Sequence, residues 1–153
     1  MVTKTHTKNI PNDIVVIIPT YNESTNISTL LDKLSMAHEV FDILIVDDNS
    51  PDGTYGAVKD LMSKYKKKLF LEKRNKKEGL GAAYVHGFNW ALERKYDYIF
   101  QMDADLSHNP NELKKMTTRL DLDADVIIGS RYKNGVNVIT VSYTHLRAHE
   151  TET

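Results

Sequence analysis

The chain contains no cysteine, which excludes a disulfide framework and any zinc–thiolate centre. It has no basic excess either, with 20 Lys and Arg against 21 Asp and Glu for a formal net charge of −1. A nucleic-acid binder normally carries strong positive charge, so no nucleic-acid partner is expected. No apolar run approaches the roughly 18 residues that a membrane-spanning helix needs, so no transmembrane segment is expected in this chain. Residues 1–12 lack the apolar stretch of a secretory signal and are expected to form a flexible N-terminus. What is present is ordinary: 153 residues, 41% hydrophobic and 27% charged. That composition points to about one globular, cytoplasmic domain and excludes a disordered or fibrous chain.

Short β-branched runs alternate with amphipathic stretches. Residues 14–18 form a continuous apolar run closed by Pro19, which predicts a buried strand. Ile27, Leu30, Leu31 and Leu34 then recur at helical spacing, with Asn22 or Ser24 as candidate N-caps. Residues 41–46 predict a second strand, and Ala57, Val58, Leu61, Met62 and Tyr65 a second helical face. Strands are further predicted at 69–72, 98–102 and 125–128, and helices at 80–94 and 111–120. This order implies βαβ units and a Rossmann-like, mainly parallel sheet with helices on both faces. The periodicity stops past Val138. Residues 139–153 resemble the in-frame translation of a sequencing adaptor and are expected to be a non-native tail. The domain over residues 13–138 is then expected to be incomplete, and this fragment by itself to be inactive.

The chemically interesting residues gather where strands end. Pro19-Thr20-Tyr21-Asn22-Glu23 closes the first strand, Asp47-Asp48-Asn49-Ser50 the second, Asp103-Ala104-Asp105 the fourth and Gly129-Ser130-Arg131 the fifth. Open α/β sheets bind ligands along that edge. Any one cluster could be turn chemistry, but turn formation hardly accounts for four on one edge. In an extended segment Asp103 and Asp105 project to the same side. An all-oxygen pair of this kind suits Mg²⁺ or Mn²⁺ shared with a diphosphate. Gly79 and Gly81, opening the third helix, allow close backbone approach of an anion or simply make a turn. His108 reads as a surface or capping residue, and Tyr84 and Trp90 as core. The basic run 64–77 reads as a solvated face, with attraction to an anionic membrane surface as the second reading.

Taken in order and spacing, these motifs, with Lys77-x-Gly79-Leu80-Gly81 and Gly129-Ser130-Arg131-Tyr132, resemble family 2 glycosyltransferases. The resemblance covers residues 14–138 and is strongest to the dolichol-phosphate or polyprenol-phosphate mannose synthase branch. It implies a GT-A fold, here truncated, that holds a nucleotide sugar and a divalent cation, Mg²⁺ or Mn²⁺. By position it implies that Pro19, Tyr21, Glu23, Val46 and Asp48 hold the base and ribose, with Gly79 beside the nucleotide. Asp103, Ala104 and Asp105 would hold the diphosphate and metal, and Arg131 the diphosphate or sugar. Some members place a glutamine where this chain has Ser107.

The implied reaction moves mannose from GDP-mannose to a polyprenyl or dolichyl phosphate, with inversion, at a membrane surface to which the protein would attach peripherally. Asp103, Asp105 and Arg131 are then its catalytic residues, as holders of metal and diphosphate and not as nucleophiles. Another family 2 glycosyltransferase activity is one alternative, and two further alternatives use parts of the same pattern. A phosphoacceptor receiver would carry its acidic pair after the first strand, and a nucleotidyltransferase a Gly-rich basic loop where this chain has Pro19-Thr20-Tyr21-Asn22-Glu23.

Overall fold

The computed structural model describes residues 13–37, 41–65 and 68–120. The chain divides into two compact units, residues 11–114 and residues 1–10 with 115–153. The first unit carries the fold described below.

It opens with β1 (Ile14–Thr20), α1 (Ile27–Ala37), β2 (Asp42–Asp47) and α2 (Thr54–Leu61). These are followed by β3 (Leu69–Lys73), α3 (Leu80–Glu93), β4 (Tyr98–Gln101) and α4 (Pro110–Thr117), whose end passes into the second unit. The four strands lie in the order β3-β2-β1-β4, every pair parallel. The parallel α/β sheet expected from the alternation is therefore present. The further strand predicted at 125–128, with Gly129, Ser130 and Arg131, lies outside the described residues, as do residues 139–153.

β1 is the central strand, and every one of its residues is buried. A parallel strand covered on both faces has no solvent side, which is why its sequence is apolar without alternation. The side chains still alternate between faces. Val15 and Ile17, with Leu44 and Val46 of β2, form one cluster with Ala83, Trp90 and Ala91 of α3. Trp90 lies 5.0 Å from the Phe70 ring and stacks at 5.9 Å on Tyr96. Ile14, Val16 and Ile18 point the other way. Ile17 turns its backbone groups to β4 and Pro19, two residues on, does the same, but the register with β4 ends at Ile17, so the missing Pro19 N–H breaks no ladder bond among the described residues.

The apolar stripe Ile27, Leu30, Leu31 and Leu34 is fully buried, as its spacing predicts. The start of α1 differs from expectation. Asn22 adopts a left-handed φ of 59° and Ser24 sits in a turn, so neither caps the helix. Instead the Glu23 carbonyl accepts from the backbone N–H groups of Asn26 and Ile27. The second helical face also divides, into α2 and a 3-10 turn at Met62–Tyr65. The tighter turn carries Tyr65 inward, where its hydroxyl donates to Asp32 at 3.0 Å. No helix among the described residues is long and apolar enough to cross a membrane.

Candidate functional site

Parallel strands all end on one edge of a sheet, and loops leaving that edge enclose a crevice. Here the ends of β1, β2 and β4 and the start of α3 enclose a cleft of about 250 Å³. The end of β1 supplies Pro19 and Thr20, the loop after it Tyr21 and Glu23, and the loop after β2 Asp48. Asp103, Ala104 and Asp105 come from the end of β4, and Lys77, Gly79, Leu80 and Ala83 from the approach to α3 and its first turn. The cleft thus collects nearly all the residues singled out in the sequence. Val46 is an exception: its side chain is fully buried in the α3-facing core and does not line the cleft. Arg131 lies outside the described residues.

A left-handed residue follows each of the strands β1, β2 and β4 within a few positions. Asn22, Asn49 and Leu106 have φ of 59°, 57° and 61°. Asparagine tolerates this left-handed conformation, whereas leucine adopts it rarely and at a cost. Gly79 enters α3 with φ 96° and ψ 163°, a conformation open essentially to glycine alone.

The carboxylates are held by different partners. Asp47 is fully buried and organises the loop from below: it accepts from the Thr20 hydroxyl at 2.9 Å and from the Ser50 backbone at 2.9 Å. Asp48 is nearly buried and takes a 2.7 Å ion pair from Arg74, whose other nitrogen reaches Glu78 at 2.6 Å. Arg74 therefore departs from the solvated face expected of the basic run, because the charge of Asp48 draws its guanidinium inward. Lys77 is exposed, as the basic run predicts, and its ammonium lies 3.9 Å from the centre of the Tyr21 ring at the cleft. Lys64 fits the expectation: it is half exposed and bridges to Asp32.

Asp103 accepts a 3.1 Å hydrogen bond at Oδ1 from the Tyr84 hydroxyl. Burial, and then the Asp103 carboxylate, push the Tyr84 phenol above its usual range, so the hydroxyl stays protonated and donates. Tyr84 also packs against the α3-side core; the expected core role is one half of its position. The backbone N–H of Asp103 points at His108 Nδ1 at 3.5 Å. The His108 side chain is 42% exposed and caps the acidic loop through this contact, within the surface or capping role expected of it. Asp105 Oδ1 accepts from the Ser107 backbone at 2.9 Å.

Among the described residues there is no cluster of three or more His, Cys, Asp or Glu side chains able to cage an ion. Two carboxylates on one cleft do fit a hard cation of the Mg²⁺ or Mn²⁺ type, which commonly binds one or two carboxylates and completes its shell with water and substrate phosphates. Among the described residues, Glu23, Asp48, Asp103 and Asp105 line the cleft together with Lys77.

Known proteins resemble this chain in sequence and in fold. The chain matches the family model Glycosyl transferase family 2 over residues 15–151. It is 44% identical over 124 residues to the polyprenol monophosphomannose synthase of Mycolicibacterium smegmatis, covering 81% of this chain and 47% of that protein. It is 41% identical over 126 residues to the undecaprenyl-phosphate mannosyltransferase of Micrococcus luteus, covering 82% and 51%. The chain thus spans about half the length of these curated relatives. Among solved structures, the mannosyltransferase PcManGT of Pyrobaculum calidifontis, in complex with GDP-Man and Mn²⁺, superposes with a TM-score of 0.59 at 22% identity. That match covers 79% of this chain and 36% of the other. The fold is that of GT-A enzymes, and the receiver and nucleotidyltransferase alternatives lose their footing. A parallel sheet with its acidic cleft at the strand ends, matched over most of its length by one family, leaves a single assignment: the chain belongs to the family 2 glycosyltransferases.

Proposed function

We propose that the protein transfers mannose from GDP-mannose to a polyprenyl phosphate, with the donor held in the cleft at the ends of β1, β2 and β4. The observation that carries the proposal is the convergence of Tyr21, Glu23, Asp48, Asp103 and Asp105 on that one cleft. Its support from outside the chain lies in relatives named for mannosyl transfer to polyprenol and undecaprenyl phosphate, and in a neighbour of the same fold solved with GDP-Man and Mn²⁺.

In this reading Tyr21, Glu23 and Asp48 meet the base and ribose, with the Pro19 ring beside them. Asp48 reaches the cleft already neutralised by Arg74, so it can accept from a ribose hydroxyl without adding net charge near the diphosphate. Val46 contributes through the packing that seats β2. Gly79 lets the backbone pass close to the nucleotide. Asp103 and Asp105 hold a divalent cation, Mg²⁺ or Mn²⁺, with the Ala104 methyl small enough to leave room between them. Bound with the diphosphate, that cation supplies charge neutralisation for the departing GDP. Arg131 is proposed as a further diphosphate or sugar contact.

The acceptor needs little activation. A polyprenyl phosphate is mostly dianionic at neutral pH because its second pKa is about 6. No carboxylate of the cleft has to act as a base. In-line attack on the anomeric carbon inverts its configuration. A lipid acceptor places the protein peripherally at a membrane surface.

The test is transfer of radiolabelled mannose from GDP-mannose into an organic-extractable product, with a polyprenyl phosphate and Mn²⁺. UDP-glucose serves as the competing donor and Asp103→Asn as the control. Label in the lipid phase from the parent and not from Asp103→Asn supports the proposal. Transfer only from UDP-glucose would reassign the sugar, and transfer of mannose to a non-lipid acceptor in place of the polyprenyl phosphate would overturn the acceptor class.

A further inference from the structure

The geometry points to Tyr84 as a positioning residue for Asp103: its hydroxyl, delivered by α3, sets the direction in which the Asp103 carboxylate presents its second oxygen to the cleft. The inference rests on the reading of Asp103 as a metal holder.

Three observations meet here. Asp103 and Tyr84 belong to different elements, the loop after β4 and the second turn of α3, and join through a 3.1 Å hydrogen bond at Oδ1. Among the described residues this is the partner of the Tyr84 hydroxyl, while the ring packs on Phe88 and the core cluster. A phenylalanine would satisfy the packing equally well, so the oxygen needs a separate reason. A carboxylate turns easily about its terminal torsion. A hydrogen bond at Oδ1 restrains that rotation and limits where Oδ2 points; Oδ2 lies 3.8 Å from His108 Nε2.

The position of α3 makes the contact possible. At Gly87, one turn beyond Tyr84, an added Cβ would lie 2.6 Å from Ile17 Cγ2 on the central strand. Only a residue without a side chain lets the helix press this closely on β1. That approach carries the Tyr84 hydroxyl to the acidic loop. The first turn of the same helix, at Leu80 and Ala83, lines the cleft. The helix that borders the ligand space is therefore also the helix that orients Asp103. Partners of this kind, one bond removed from a metal, commonly change its affinity by about 10- to 100-fold when lost.

The experiment compares Tyr84→Phe with the parent chain by titrating Mn²⁺ in the presence of GDP, with free Mn²⁺ followed by electron paramagnetic resonance. GDP binding without divalent cation and the thermal midpoint are measured alongside. The expected result is Mn²⁺ binding weakened about tenfold, with metal-free GDP binding and the midpoint close to the parent's. Unchanged Mn²⁺ affinity would overturn the inference. So would a parallel fall in metal-free GDP binding, or a midpoint lowered as far as in Tyr84→Ala, since either marks Tyr84 as a packing residue. Asp103→Asn separates the two readings. If it loses Mn²⁺ and Tyr84→Phe does not, only the role of Tyr84 fails; if Asp103→Asn binds Mn²⁺ like the parent, the metal assignment fails and this inference with it.

Discussion

The Arg74 guanidinium donates to Asp48 Oδ1 at 2.7 Å, and the two side chains are only 8% and 6% exposed. The pair links the end of β2 to the segment that leads into α3, two sides of one cleft. Buried ion pairs contribute little net stability as pairs, but removing one partner strands the other charge and costs about 3–5 kcal/mol. Arg74→Met is therefore expected to destabilise the protein by about 3 kcal/mol. Arg74→Met combined with Asp48→Leu should recover most of that loss. Urea denaturation of the three proteins decides this; a double variant less stable than Arg74→Met would mean that the two residues do not act as a pair.

Asp48→Ala addresses the ligand instead of the fold. It should weaken GDP binding while leaving the ratio of affinities with and without Mn²⁺ unchanged, because its proposed contact is to the nucleoside and not to the metal. Isothermal titration in both conditions is the check. GDP bound as tightly as by the parent would show Asp48 to be a loop residue.

Asp103→Asn and Asp105→Asn should do the opposite. Each is expected to reduce Mn²⁺-dependent GDP-mannose binding by at least about tenfold, since an ion held by two carboxylates loses half of its protein ligands. The thermal midpoint should move little, because both residues lie in a loop at the rim of the cleft. Calorimetric titration and a melting curve, read together, would refute the assignment if affinity held or if the fold collapsed.

Asp52 should set part of the acid sensitivity. Desolvation pushes its pKa up, but hydrogen bonds from Thr54 and Ser24 outweigh this and hold the carboxyl well below the usual range. A carboxylate with a depressed folded pKa adds stability above its unfolded pKa of about 3.9 and loses it as pH falls toward the folded value. Melting midpoints taken from pH 5 down to pH 2 should fall less steeply for Asp52→Asn than for the parent. Parallel slopes would mean that these bonds contribute nothing to pH dependence.

Gly87→Ala tests the contact between α3 and β1. The new methyl would meet Ile17 Cγ2 at 2.6 Å, inside a fully buried core. Overpacking of this kind costs about 1–3 kcal/mol, offset by up to about 1 kcal/mol from the better helix propensity of alanine. A net loss of about 1 kcal/mol is expected by urea denaturation, and a stabilised variant would show that the helix shifts freely.

The sequence by itself determined the layered parallel sheet, because a strand buried on both faces must be apolar throughout, as residues 14–18 are, and a helix buried on one face must repeat as Ile27, Leu30, Leu31 and Leu34 do. It also determined that the acidic residues share an edge, since parallel strands joined by helices end on the same side. Those signals are local or periodic, and periodicity survives in one dimension. What only the tertiary structure decided was which side chains meet across elements. Arg74 reads as one more cation in a basic run until β2 and β3 lie side by side and bring it to Asp48. Tyr84 reads as core until α3 packs on the sheet and its hydroxyl reaches Asp103. Val46 sits in the motif, yet strand alternation turns its side chain toward Trp90 and away from the cleft. Contacts such as Tyr84 with Asp103, 19 residues apart, follow from how closely α3 packs on the sheet; that packing has no spacing of its own in the sequence.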